Sequence, residues 1–120
     1  MKQAELKLKV EGRVVYASVR GDIDMGNAAE LRAELGAMTP NDALGLILDL
    51  SDIEYLDSAG IHLIHYLREN LHASGQALRL VIPAGSVISA TLRLAGLDWS
   101  EDTTESIDAA RRALVGSGSQ

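Results

Sequence analysis

The chain predicts a single α/β domain, its mixed β-sheet opening with an antiparallel hairpin and packed with about four helices. Three observations carry this. Leu6, Leu8 and Val10 alternate with Lys7 and Lys9, the period-two signature of a strand with one wet face. Ala43–Leu50, ALGLILDL, is almost continuously apolar, as a central strand covered on both faces requires. Elsewhere apolar residues recur at helical spacing, with turn and capping residues at the boundaries.

Taken in order, the first strand meets a tight turn at Glu11-Gly12, and Arg13–Arg20 returns with Val15, Ala17 and Val19 on one face. Asn27 followed by Glu30 has the pattern of a capping box, with Leu31, Leu35 and Met38 behind it. Pro40-Asn41-Asp42 ends that helix and leads into the apolar strand. A second helix is expected from about Ser58 to Ser74, stopped by Gly75. Leu78–Ile82 reads as another buried strand, and Gly85 or Ser86 begins a helix that runs to Gly96. Leu97-Asp98-Trp99 reads as a short last strand, and Thr103 or Thr104 as the cap of a final helix to about Val115. Residues 1–115 then form the domain and residues 116–120, GSGSQ, a flexible C-terminal tail. No internal repeat or linker interrupts the chain.

Composition narrows the function classes. At 120 residues the chain is long enough for one real core, and with no Phe, one Trp and three Tyr that core must be aliphatic. A net charge of −6 argues against nucleic acid and anionic membrane as main partners. The absence of cysteine excludes disulfides, thiolate catalysis and cysteine-based zinc sites. The N-terminus MKQAELKLKV lacks the apolar core of a signal peptide, and no apolar run is long enough to span a bilayer. A cytoplasmic location without membrane insertion is therefore expected.

The most informative stretch is Tyr55–Ile64, YLDSAGIHLI. If Ser58 caps the helix, its hydroxyl turns inward to a backbone N–H. If Asp57 is the cap, Ser58 becomes the first helical residue and displays its hydroxyl. Asp caps at least as well as Ser and its charge suits the positive helix end, which favours Asp57. Ala59 and Gly60 are small enough for another backbone to approach Ser58. Gly60 costs the helix roughly 1 kcal/mol against Ala, so something should compensate. At about 100° per residue, Gly60, Leu63, Ile64, Leu67 and Leu71 share the face that packs on the sheet. Ile61 and Arg68 flank that face, while His62, His65 and Glu69 point away. Asp22 and Asp24, in GDID at Gly21–Asp24, end the second strand and serve as caps, as loop carboxylates, or as acids converging on Ser58.

With these residues in view, the chain resembles the STAS-domain anti-sigma factor antagonists of bacteria from about Leu6 to Leu114. Its landmarks are GDID at Gly21–Asp24, AAELRAEL at Ala28–Leu35, LILDLSDIEYLDSAGIHLI at Leu46–Ile64, and LAGLDW at Leu94–Trp99. His62 stands where the family usually has a small residue, and PAGSVISATLRLAGL matches the later helix only loosely. The resemblance implies a protein that binds an anti-sigma factor serine kinase while unphosphorylated, which frees a sigma factor. The kinase phosphorylates the serine of the Asp-Ser motif, here Ser58, and a phosphatase later restores it. Asp24 matches an acidic residue facing the phosphorylation site, so Asp24, Asp57, Ser58, Ala59, Gly60 and Ile61 are the expected partner-binding residues. No cofactor and no metal are implied, and self-association as a weak homodimer is left open.

Enzyme readings fare poorly. There is no G-x-S-x-G elbow, no Gly-Lys-Ser/Thr step of a P-loop, and no late lysine for a receiver domain. His62 and His65 read as a solvated helix face, since no third ligand accompanies them. The serious rival is a non-switching STAS docking subunit of a stress-signalling scaffold or of a lipid ABC transporter.

Overall fold

The computed structural model describes residues 4–95 and 103–118. Strands β1 (Glu5–Glu11), β2 (Val14–Ile23), β3 (Gly45–Leu56), β4 (Ala77–Val81) and β5 (Thr103–Thr104) form one sheet in that spatial order. β1 is antiparallel to β2, and the remaining pairs are parallel. Helices α1 (Ala28–Met38), α2 (Ser58–Ala73), α3 (Val87–Leu94) and α4 (Ile107–Gly118) connect and cover them. The mixed sheet with its opening hairpin and four helices agrees with the sequence reading.

The hairpin turns on Gly12 and Arg13. Gly12 has φ +59° while no non-glycine residue among those described has positive φ, the pattern of a type II′ turn. Val15, Ala17 and Val19 are each 1% exposed, as their alternation predicts. Val10 departs from its own alternation and remains 54% exposed, because β1 is the sheet edge and no described residue covers its end.

The main core lies between one face of the sheet and α1, α2 and α3, with Leu46, Leu48 and Leu50 at its centre. Ile47 faces the other way, joining Val14, Val81, Ala110 and Leu114 beneath α4. That two-sided burial explains why β3 reads as an unbroken apolar run. Gln76 is the buried polar residue among those described, and its amide donates to the carbonyls of Pro40 (2.8 Å) and Ala43 (3.0 Å). It thereby ties the α1–β3 connection to the start of β4.

Several boundaries differ from expectation. The strand expected to end at Leu50 runs on to Leu56. Its pairing with β2 slips once between Ser18 and Arg20 and again between Gly21 and Asp22, so β3 carries two extra residues. Each bulge lengthens the side-chain period from two to three at one step. The buried residues Leu46, Leu48, Leu50, Ile53 and Leu56 follow this spacing. The stretch between Leu50 and Asp57 is therefore strand, and it delivers Asp57 directly from the sheet.

Thr103 and Thr104 do not cap the last helix; they form β5, with Val81 paired to Thr104. The Thr104 hydroxyl donates to the Leu80 carbonyl at 3.1 Å, and Ser106 Oγ instead accepts from the Ala109 amide in the first turn of α4. That helix continues to Gly118, past the expected end at Val115 and into the segment read as a flexible tail. The expected strand Leu97-Asp98-Trp99 and the helix end at Gly96 lie outside the described residues.

Candidate functional site

The ends of β2 and β3 lie side by side, with Ile23 paired to Leu56, and both chains then leave the sheet toward helices. Asp57 stands at the junction. Its backbone N–H donates to the Ile23 carbonyl (3.2 Å), which holds the start of α2 against the end of β2. Its Oδ1 accepts from the amides of Ala59 (2.8 Å) and Gly60 (3.1 Å), so Asp57 is the N-cap. Its Oδ2 accepts from the Met25 amide (3.2 Å), a residue 32 positions earlier in the loop between β2 and α1. One carboxylate thus caps its own helix and anchors the neighbouring loop.

Ser58 follows as the first helical residue and is exposed. Of the two cap assignments open to the sequence, the geometry selects Asp57. Ala59 and Ile61 are half-buried and pack on the rim of the main core. Gly60 is buried, and the compensation for its helix cost is contact. A Cβ there would run into the Leu56 Cδ1 and lie 3.1 Å from both the Ile23 Cγ2 and the Ile23 carbonyl oxygen. Glycine lets the first turn of α2 sit this close to the strand ends without displacing the Leu56 side chain. Below it, Leu63, Ile64, Leu67 and Leu71 are buried in the predicted stripe, with His62, His65 and Glu69 outside.

The loop opposite Ser58 is built by short-range polar contacts. Asp24 Oδ1 accepts from the Gly26 amide at 2.8 Å, so this carboxylate shapes its own turn. The Asp24 carbonyl receives the amides of Asn27 and Ala28, starting α1. Asn27 occupies the N-cap position but makes no side-chain cap, which corrects the capping-box expectation. Its side chain turns backward instead. The Asn27 Oδ1 accepts from the Asp24 amide (3.1 Å), and its Nδ2 donates to the Asp22 carbonyl (2.9 Å). Both groups lie past the last pairing of β2 with β1, at Arg20, and a single amide satisfies both.

The structure therefore brings Asp57 and the Asp24–Gly26 loop into direct contact beside Ser58. It also shows what sequence pattern did not single out. Met25 is 84% exposed at the tip of this loop, next to Ala28, Arg32, Ala59, His62 and Tyr66 along a shallow groove between α1 and α2. The Arg32 guanidinium lies over the Tyr66 ring, 4.6 Å from its centroid. His62 is exposed, as its place on the outer helix face predicts, and lines the rim of that groove. An apolar side chain in a loop of Asp and Gly residues was the available signal for Met25. No group of acidic and histidine side chains able to hold a metal occurs among the described residues, nor does any helix there have the length and apolarity to cross a membrane.

The STAS domain profile matches residues 5–110. The anti-sigma-F factor antagonist RsfB of Mycobacterium tuberculosis is 33% identical over 86 residues, 71% of this chain and 68% of that protein. An anti-sigma factor antagonist from Mycobacterium paratuberculosis superposes with a TM-score of 0.82 and 26% identity, covering 94% of this chain and 95% of that one. The Bacillus cell fate determinant SpoIIAA in its phosphorylated form shares the fold, with a TM-score of 0.70 and 18% identity over 92% of this chain and 99% of that one. Profile, relatives and architecture agree: the chain belongs to the STAS family, among its anti-sigma factor antagonists.

Proposed function

We propose that this protein is a phosphorylation-controlled binding switch. In its unphosphorylated form it docks the tip bearing Asp24, Asp57, Ser58, Ala59, Gly60 and Ile61 onto an anti-sigma factor that is also a serine kinase. Docking releases a sigma factor in the cytoplasm. Transfer of phosphate from a nucleotide to Ser58 Oγ ends the complex, and a phosphatase that hydrolyses phospho-Ser58 restores it. The protein contributes surface and acceptor hydroxyl, and no catalytic group of its own.

The observation that carries this reading is the division of labour at the junction. Asp57 receives the first-turn amides of α2, so Ser58 is left outward with its hydroxyl not needed as the helix cap. Phosphorylation adds about −1.5 to −2 charge at that point. Because Asp57 already accepts from Ala59 and Gly60, the new charge finds those donors occupied and a carboxylate beside it. It therefore acts on the contact with a partner more than on the fold. Like-charge juxtaposition in a contact costs several kcal/mol, enough for a hundredfold change in affinity or more.

The test is to mix the protein with anti-sigma kinases, ATP and magnesium, then read intact mass and map the modified peptide. One phosphate on Ser58 with loss of the complex is the expected result. Ser58→Ala should stay bound to the kinase and Ser58→Asp should bind weakly; equal affinities for the two would sink the switch. Stable binding to a transporter or a large assembly without modification would make Ser58 a helix-start residue of a docking domain.

A further inference from the structure

The sheet has two unlike edges. β5 is two residues long, whereas β1 presents seven; among the described residues β1 packs chiefly on β2, and Ile107, Asp108 and Arg111 of α4 only share a groove with Lys7, Lys9 and Glu11 on one face, leaving the backbone edge open. The two-residue turn at Gly12-Arg13 closes on the Glu11–Val14 pair, which in such a hairpin is hydrogen-bonded. By alternation, Glu5, Lys7 and Lys9 bond to β2 as well. The backbone N–H and C=O groups of Leu6, Leu8 and Val10 therefore point out of the sheet, an open template for another strand.

We propose that this edge pairs with β1 of a second copy of the chain, antiparallel, about a two-fold axis through Lys9. The choice of occupant and register rests on charge and apolar fit. With the axis at Lys9, each Lys7 faces the other copy's Glu11, and each Leu8 faces the exposed Val10, side by side on the core face. The one like pair, Lys9 on Lys9, is relieved within each copy, where Lys9 Nζ lies 2.9 Å from Glu11 Oε2. Shifting the axis to Leu8 sets Lys7 against Lys9 and Glu5 against Glu11, all like charges directly opposed, which destabilises a strand pair. Shifting it to Lys7 also opposes unlike charges, Glu5 on Lys9, but it sets Lys7 on Lys7 away from Glu11 and leaves Val10 opposite the small Ala4, so apolar fit decides between these two registers. The side chains of this edge thus reject one register and fit another, which goes beyond the general blunting of an edge by lysines.

The arrangement is independent of the switch. Ser58 sits where β2 and β3 end, and a two-fold perpendicular to the sheet sends the two copies' Ser58 tips to opposite ends of the joined sheet. A dimer would carry two separate, accessible docking tips.

Sedimentation velocity on the full chain, from micromolar to millimolar concentration at low salt, tests this. A monomer–dimer equilibrium is expected, with Lys7→Glu and Glu11→Lys each weakening it at least about tenfold, since each single change creates two like-charge cross-strand pairs. The double variant Lys7→Glu/Glu11→Lys restores the opposite pairing and should recover the wild-type association; it also shows that loss in the single variants is not misfolding. A chain that stays monomeric at millimolar concentration, a dimer indifferent to the single changes, or a double variant no tighter than the singles would overturn the proposal.

Discussion

The starts of α1 and α2 use the same kind of residue for opposite purposes. Asn27 and Asp57 both stand at N-cap positions after strands that finish at the same end of the sheet. Asp57 points forward into its helix and takes two of its orphan amides. Asn27 points backward and clips Asp22 and Asp24, leaving α1 to begin on the Asp24 carbonyl. The difference follows from chemistry. A carboxylate accepts only and is favoured by the positive end of a helix, whereas an amide can accept and donate at once. A strand end that exposes one N–H and one C=O two residues apart suits the amide. The comparison teaches that a short polar residue at a helix start announces unsatisfied backbone without saying on which side of it.

Four changes would break or sharpen this contrast. The largest effect is expected at Gly60→Val, where a branched side chain must enter the space held by Leu56 and the Ile23 backbone. Overpacking of this kind should remove about 2–3 kcal/mol, read as a fall in the chemical denaturation midpoint. Asp57→Ala comes next, at about 1–2 kcal/mol for a lost cap. Its distinguishing sign is faster amide exchange at Met25 as well as at Ala59 and Gly60; unchanged exchange at Met25 would refute the anchoring role. Asn27→Ala should cost about 1 kcal/mol through its two bonds to the loop. Glu30→Ala, by contrast, should change stability by less than about 0.5 kcal/mol, because no capping box exists to lose. Equal losses at positions 27 and 30 would restore the capping box.

What was legible in the sequence was whatever a single period could express. The buried stripe Gly60, Leu63, Ile64, Leu67 and Leu71 follows from helical spacing alone, and the cap at Asp57 from the chemistry of Asp. β3 was read too short because two bulges change its period at Ile53 and Leu56, and no local residue type marks a bulge. Thr103 and Thr104 look like caps in isolation. They become strand because the open side of β4 offers Leu80 and Val81 as partners, a fact supplied by residues over twenty positions away. The Met25 loop has no period at all, so its place beside Asp57 emerges only when β2 and β3 lie together.

That same contact has a bearing on timing. The bond from the Met25 amide to the Asp57 carboxylate closes a span of 32 residues, and it cannot form until β2 has found β3. Contacts of long sequence separation are the slow part of folding a mixed sheet. A nascent or unfolded chain carries Ser58 in full view, yet it lacks the surface that surrounds it. Any partner that reads loop and helix together would thereby be confined to finished molecules, and to such a partner the tip would mark that assembly of the sheet is complete.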